Sequence, residues 1–167
     1  MDATIHGHTT ECQMQGAAGG ELPLHATKRR NQKESYIMST QANELAVEYA
    51  ERIRELMLDN LFGVFSERDP DRRLEVINRN YTEDVIWTDP MWTAEGREAF
   101  VERAQEFVDG KPDVRFAAAG PVIVCRDLGY LAFNLGVPGQ PPRVSGHDVA
   151  LVRDGRIALL YTLIPGR

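Results

Sequence analysis

At 167 residues with 43% hydrophobic content, the chain is long enough for one domain that buries its apolar surface without metals or disulfides. A formal net charge of -6 and a pI near 5.2 exclude the broad basic surface that nucleic-acid binding needs, since the only concentrated basic run is Lys28-Arg29-Arg30. Two cysteines, Cys12 and Cys125, are too few for a disulfide framework, and no stretch has the length of a signal-peptide core or a membrane span, so a cytoplasmic protein with no membrane partner is expected.

Residues 1–38 mix Gly, Thr, Gln, His and charge, including Gly16-Ala17-Ala18-Gly19-Gly20, with almost no apolar periodicity. Such a segment cannot offset its ordering entropy by burial, so it is expected to be a disordered tail or leader, with Met38 a candidate true start and 39–167 the folded domain. From Thr40 to about Ser66, Leu45, Tyr49, Ile53, Leu56, Met57, Asn60, Val64 and Phe65 recur at three- and four-residue steps, the period of a long amphipathic helix. Asp69 is placed to cap a second helix with Pro70 at its first position, and that helix is expected to run to about Asn80 and bury Leu74 and Ile77.

A short strand over 85–88 is broken by Asp89-Pro90, and a third helix then carries Phe100, Ala104, Phe107 and Val108 on one stripe until Asp109-Gly110-Lys111-Pro112. Strands are predicted over 114–119, 122–125, 130–137, 143–153 and 156–164, and Cys125 in its apolar run reads as a buried thiol. Helices first and then a meander predict an α+β domain whose curved, mainly antiparallel sheet wraps three N-terminal helices.

Three passages carry a resemblance: Tyr81-Thr82-Glu83-Asp84-Val85-Ile86-Trp87-Thr88-Asp89-Pro90, Gly96-Arg97-Glu98-Ala99-Phe100, and His147-Asp148-Val149-Ala150-Leu151-Val152-Arg153-Asp154-Gly155-Arg156-Ile157. In order and spacing they resemble the NTF2-like superfamily, in particular its SnoaL-like and ketosteroid isomerase-like members. The resemblance covers nearly everything after Met38 and implies a cone-shaped α+β barrel around an apolar pocket. It also implies Asp89 as a general base and Asp148 as a protonated hydrogen-bond donor to a developing enolate, acting on a small apolar carbonyl compound with no cofactor. Isomerase, cyclase and dehydratase chemistry all fit this description, and a homodimer through the outer sheet face is expected.

The residues support that chemistry, because a carboxyl group in an apolar pocket has its pKa raised toward neutrality. Asp89 also has the ordinary reading of a turn residue stopping a strand before Pro90. Strand alternation groups Val144, Gly146, Asp148, Ala150 and Val152 on one face, with Gly146 leaving room for a ligand. His147 then points away, although a register slip of one residue would put it in the pocket instead.

Trp87, Met91, Trp92, Tyr81, Leu131, Phe133 and Leu135 are the expected pocket wall, with plain core as the alternative. Leu61 and Val101 occupy positions where ketosteroid isomerases use Tyr, which argues against classical steroid isomerisation. A limonene-type epoxide hydrolase would require Arg97, Arg115 or Arg143 between the two carboxyls, and a non-catalytic small-ligand module would show a filled pocket. No metal site is expected: His6, Gly7 and His8 chelate weakly at best, and the domain lacks His or Cys pairs at ligand spacing.

Overall fold

The computed structural model describes residues 24–166 of the chain, which divides into two units, Met1–Thr40 and Gln41–Arg167. The tail residues Cys12 and Gly16 to Gly20 and the chelating trio from His6 to His8 lie outside the described residues. Helix α1 spans Leu24–Asp59, beginning well before the apolar stripe that starts at Leu45. The reason is local: no Gly or Pro occurs between Leu24 and Asp59, and the Lys, Arg, Gln and Glu of that stretch are good helix formers. Tyr36, Ile37 and Met38 are exposed on it.

Within Gln41–Arg167, α1 is followed by a π-helical turn, Asn60–Val64, then by α2 (Pro70–Asn80) and α3 (Arg97–Asp109). The α2 cap follows the sequence expectation, since Asp69 Oδ1 accepts from the backbone N–H groups of Asp71 at 2.9 Å and Arg72 at 3.2 Å ahead of Pro70. Burial on α2 departs from it. Leu74 is exposed, and the inward stripe is Arg73, Ile77 and Asn80. Arg73 tolerates the core because its guanidinium donates to the Glu67 carbonyl at 2.6 Å and to the side-chain oxygen of Gln105.

Among the described residues, seven strands make one open sheet: β1 (Tyr81–Thr88), β2 (Thr93–Glu95), β3 (Arg115–Ala118), β4 (Ile123–Cys125), β5 (Leu128–Gly136), β6 (Val144–Arg153) and β7 (Arg156–Leu163). Their order is β2-β1-β7-β6-β5-β3, with β4 also on β5. All pairs are antiparallel except β1 with β7, which are parallel and far apart in the chain, with β2, α3 and β3 to β6 between them. The three-residue β2 has no counterpart in the sequence expectation; it pairs with β1 across the turn that Asp89 closes. Gly96 opens α3 at φ +82°, a backbone region that a side chain would strain, and its N–H donates to the Val85 carbonyl.

The core lies between the helices and one sheet face. Ile53, Leu56, Met57, Leu61 and Val64 meet Ile77, Phe100 and Ala104 from the other helices and Leu131, Ala150, Ile157 and Leu160 from the strands. Alternation along β5 and β6 turns Leu131, Phe133 and Leu135, and Gly146, Asp148, Ala150 and Val152, to this side. Cys125 is exposed, contrary to expectation, because in short β4 it is Val124 that leans against the core. Among the described residues, no helix is long and apolar enough to cross a membrane.

Candidate active site

A cavity of about 360 Å³ opens between the sheet face, the turn after β1 and the C-terminal half of α3. That is a volume suited to a small organic molecule. Both candidate acids line it, together with Trp87, Met91, Trp92, Phe133 and Leu135, five of the residues expected in its wall.

Asp148 forms part of its floor. Register places it on β6 between Leu131 of β5 and Thr162 of β7, and only 3% of its surface is exposed. Oδ1 accepts from the Thr162 hydroxyl at 2.8 Å, and Oδ2 accepts from the Asn60 amide at 2.8 Å. Burial drives its pKa from 3.8 to about 6, against the opposing pull of the Thr162 and Asn60 hydrogen bonds. The network extends on both sides. Tyr81 donates its phenol proton to Asn60 Oδ1 at 2.7 Å, and the Trp87 indole N–H donates to Thr162 Oγ1 at 3.1 Å. Burial, then the nearby charges of Asp148 and Asp59, hold the Tyr81 phenol well above its ordinary pKa, so it remains a neutral donor.

Asp89 closes the turn after β1 and also lines the cavity. Oδ1 accepts from the amides of Met91 at 2.7 Å and Trp92 at 3.0 Å, an Asx turn that carries β1 into β2, and the side chain is half-buried. The turn seats Trp92 edge-on to Trp87, with ring centroids 4.3 Å apart.

Three expected wall residues fall elsewhere. Tyr81 and Leu131 are completely buried behind the cavity, since their faces are covered by the π-turn and helix packing. Gly146 leaves no space for a ligand: an added Cβ there would stand 2.6 Å from Phe133 Cζ, 2.8 Å from Ile164 Cδ1 and 2.9 Å from the Leu163 carbonyl. Gly146 instead lets the tip of the Phe133 ring approach the strand closely. Gly146→Ala is therefore expected to cost about 1–3 kcal/mol of stability and to push Phe133 into the cavity, read by urea unfolding and by weakened ligand binding.

His147 faces away from the cavity, where its Nδ1 is 2.7 Å from the Tyr130 hydroxyl and the two rings stack at 21°. Arg97 donates to the Tyr81 carbonyl and Arg115 to the carbonyls of Pro112 and Val114; neither they nor Arg143 bridge the two acids. Among the described residues, no group of three His, Cys, Asp or Glu side chains converges to hold a metal.

Sequence reasoning missed Asn60 and Thr162. Asn60 carried a signal, being a polar residue inside an apolar helical stripe; Thr162 carried none, since alternate Thr is ordinary in a strand.

No curated protein matches the chain. Solved structures do. A proposed isomerase of the SnoaL-like family from Agrobacterium tumefaciens C58 superposes with a TM-score of 0.64 at 20% identity, over 70% of this chain and 99% of that one. A proposed SnoaL-like polyketide cyclase from Jannaschia sp. CCS1 gives 0.59 at 16% identity, over 70% and 87%. An LEH-like epoxide hydrolase from Mycobacterium tuberculosis gives 0.52 at 12% identity, over 69% and 84%. These likenesses establish the cone-shaped NTF2-like α+β fold, three helices in a curved, open sheet. Residues 58–160 match the model of the SnoaL-like domain, a span that runs from the end of α1 to β7 and takes in Asn60, Asp89 and Asp148; the chain belongs to the SnoaL-like family of the NTF2-like superfamily.

Proposed function

We propose that this cavity is the active site of a cofactor-independent acid–base enzyme that moves a proton next to the carbonyl of a small, mostly apolar compound. The observation that carries this reading is Asp148: among the described residues it is the one carboxylate in the core, it faces an apolar cavity, and burial poises it at about 6. A base with that pKa is ionised at neutral pH yet still holds a proton well enough to return it. Each of its oxygens accepts a single protein hydrogen bond, which leaves a second lone pair on each for the transferred proton.

The two environments favour a division of labour opposite to the one the family resemblance implies. Asp148 is the perturbed group and takes the proton. Asp89, with Oδ1 occupied by the turn amides, supplies a second carboxylate facing the bound compound. The Tyr81 hydroxyl and the Trp87 indole N–H are already committed to Asn60 and Thr162, so they are not available to a substrate oxygen. Substrates whose C–H is acidified by their own structure, as between two carbonyls or beside an aryl ring, suit such a site best. An open cavity lined by both acids supports chemistry over a purely structural module, and the lack of a bridging arginine counts against epoxide opening.

The test is exchange of the benzylic protons of 2-tetralone in D2O, followed by proton NMR. Wild-type protein should accelerate the exchange over buffer, and Asp89→Asn, which keeps the Oδ1 acceptor of the turn, should fold normally and lose a smaller part of the acceleration than Asp148→Asn. Wild-type exchange no faster than that of Asp148→Asn would reject the assignment.

A further inference from the structure

The mouth of the cavity carries cations that its floor lacks. Asp148 is the buried acid of the floor and Asp89 is half-buried in the turn after β1, whereas α3 and the turn after it bring Arg103 and Lys111 to the rim. Both are exposed, and both lie over aromatic rings of the cavity wall. The Arg103 guanidinium is 5.5 Å from the Trp92 ring centroid, and the Lys111 ammonium is 3.9 Å from that of Phe107.

Their charges are not equally matched. Arg103 is paired with Glu106 at 2.7 Å, the other charged residue on this side of the rim. Lys111 makes no ion pair among the described residues, in a protein whose net charge is -6. A lysine just past a helix C-terminus also has an ordinary use, favouring the last carbonyls of α3. The placement serves a second end here, because the ammonium lies over the face of Phe107, a ring of the last turn of α3 that lines the cavity.

We propose that the ligand of this site is an anionic amphiphile: an apolar carbonyl body that enters toward Asp148, with a carboxylate or equivalent acid group held at the rim by Lys111 and, beside it, Arg103. This rests on the reading of the cavity as the binding site of an apolar carbonyl compound and adds the polarity of its outer end. The rim sets orientation as well as class. An anion cannot sit against Asp148 and Asp89, since like charges in a poorly solvated cavity repel, so the acid end stays outside and the neutral end is delivered to the base.

Two dyes of nearly the same apolar body separate the possibilities. 8-Anilinonaphthalene-1-sulfonate carries the anion, and N-phenyl-1-naphthylamine lacks it. Wild-type protein should bind the sulfonate about tenfold more tightly than the neutral dye, the advantage of one charge-assisted contact. Added salt should erode that advantage, and Lys111→Ala should reduce it to about threefold or less, with Lys111→Glu reversing it. The neutral dye, measured in the same variants, corrects for any change in the apolar wall where Lys111 covers Phe107, so the ratio of the two affinities carries the result. Equal binding of the two dyes to wild type, or an advantage that survives both substitutions, would overturn the anionic rim while leaving the cavity as a binding site. Failure of both dyes to bind would reject the cavity itself, and the rim with it.

Discussion

Replacing Asp148 with Asn is expected to cut proton-transfer turnover by about 10²–10⁴-fold, the usual contribution of a positioned general base. Its effect on stability should depend on pH. The introduced amide can keep the Thr162 hydrogen bond through its oxygen, and Asn60 can flip to accept from the new NH2 group while donating to the Tyr81 oxygen, which leaves the buried Tyr81 phenol proton without its acceptor at a cost of about 1–3 kcal/mol that does not vary with pH in this range. What disappears is the burial of a charge. Because the pKa of Asp148 is about 6 in the fold against 3.8 in the unfolded chain, the native state holds the proton more tightly, and stability falls as pH rises between those two values.

The full effect is about 3 kcal/mol, present below the lower value and lost above the higher one. The variant carries no such loss, so its stability relative to wild type should be highest at about pH 8 and lower by about 2–3 kcal/mol near pH 4. Urea unfolding across that range measures it. Wild-type turnover should rise through pH 6 and level off as the carboxylate forms, an inflection absent from the variant. A stability difference that is the same at both ends of the range would show that the Asp148 pKa is not displaced.

Phe65→Ala is expected to cost about 3–5 kcal/mol, the largest loss of stability for a single truncation at the cavity. Phe65 is 4% exposed and stands at the centre of an aromatic cluster, with ring centroids 4.8 Å from Trp87, 5.6 Å from Phe107, 5.9 Å from Phe116 and 6.1 Å from Phe100. These rings come from β1, α3 and β3, and Phe65 follows directly on the π-turn, so its loss unpins several elements at once. The hole left behind joins the existing cavity, because Phe65 also lines it. Denaturant unfolding gives the stability change; binding of larger apolar dyes should improve in the variant relative to small ones. A loss below about 1 kcal/mol would mean that the cluster repacks around the gap.

Most of the architecture is legible because it follows from local rules. Pro70 after Asp69, the helical spacing of Phe100, Ala104 and Val108, and the alternation through Leu131, Phe133 and Leu135 each specify an element and a buried face. The errors occur where packing overrides residue character. Hydropathy puts Leu74 in the core and Arg73 at the surface, since it ignores the carbonyl of Glu67 and the amide of Gln105 that make a buried guanidinium tolerable. Cys125 reads as buried because an apolar run does not show which strand lies at an edge.

The candidate site is legible in its acids and not in their partners. Asp89 and Asp148 are separated by 59 positions that local patterning can place on strand ends and faces. Asn60 reaches Asp148 through a π-turn that shifts the helical phase by one residue, a feature without a clear single-sequence signature. Thr162 is fixed by register between strands, and Lys111 reads only as part of a helix stop until the ring beneath it is in place.

Trp87 and Trp92 are the only two indoles in the chain, and both stand in the cavity wall. Ultraviolet emission on selective indole excitation therefore originates entirely at this one location, giving an intrinsic optical gauge of its occupancy without any label. Because the Trp87 N–H is bonded to the hydroxyl that also touches Asp148, the same signal is placed to register a proton arriving on that acid, so a single titration of native fluorescence can report both filling and charging.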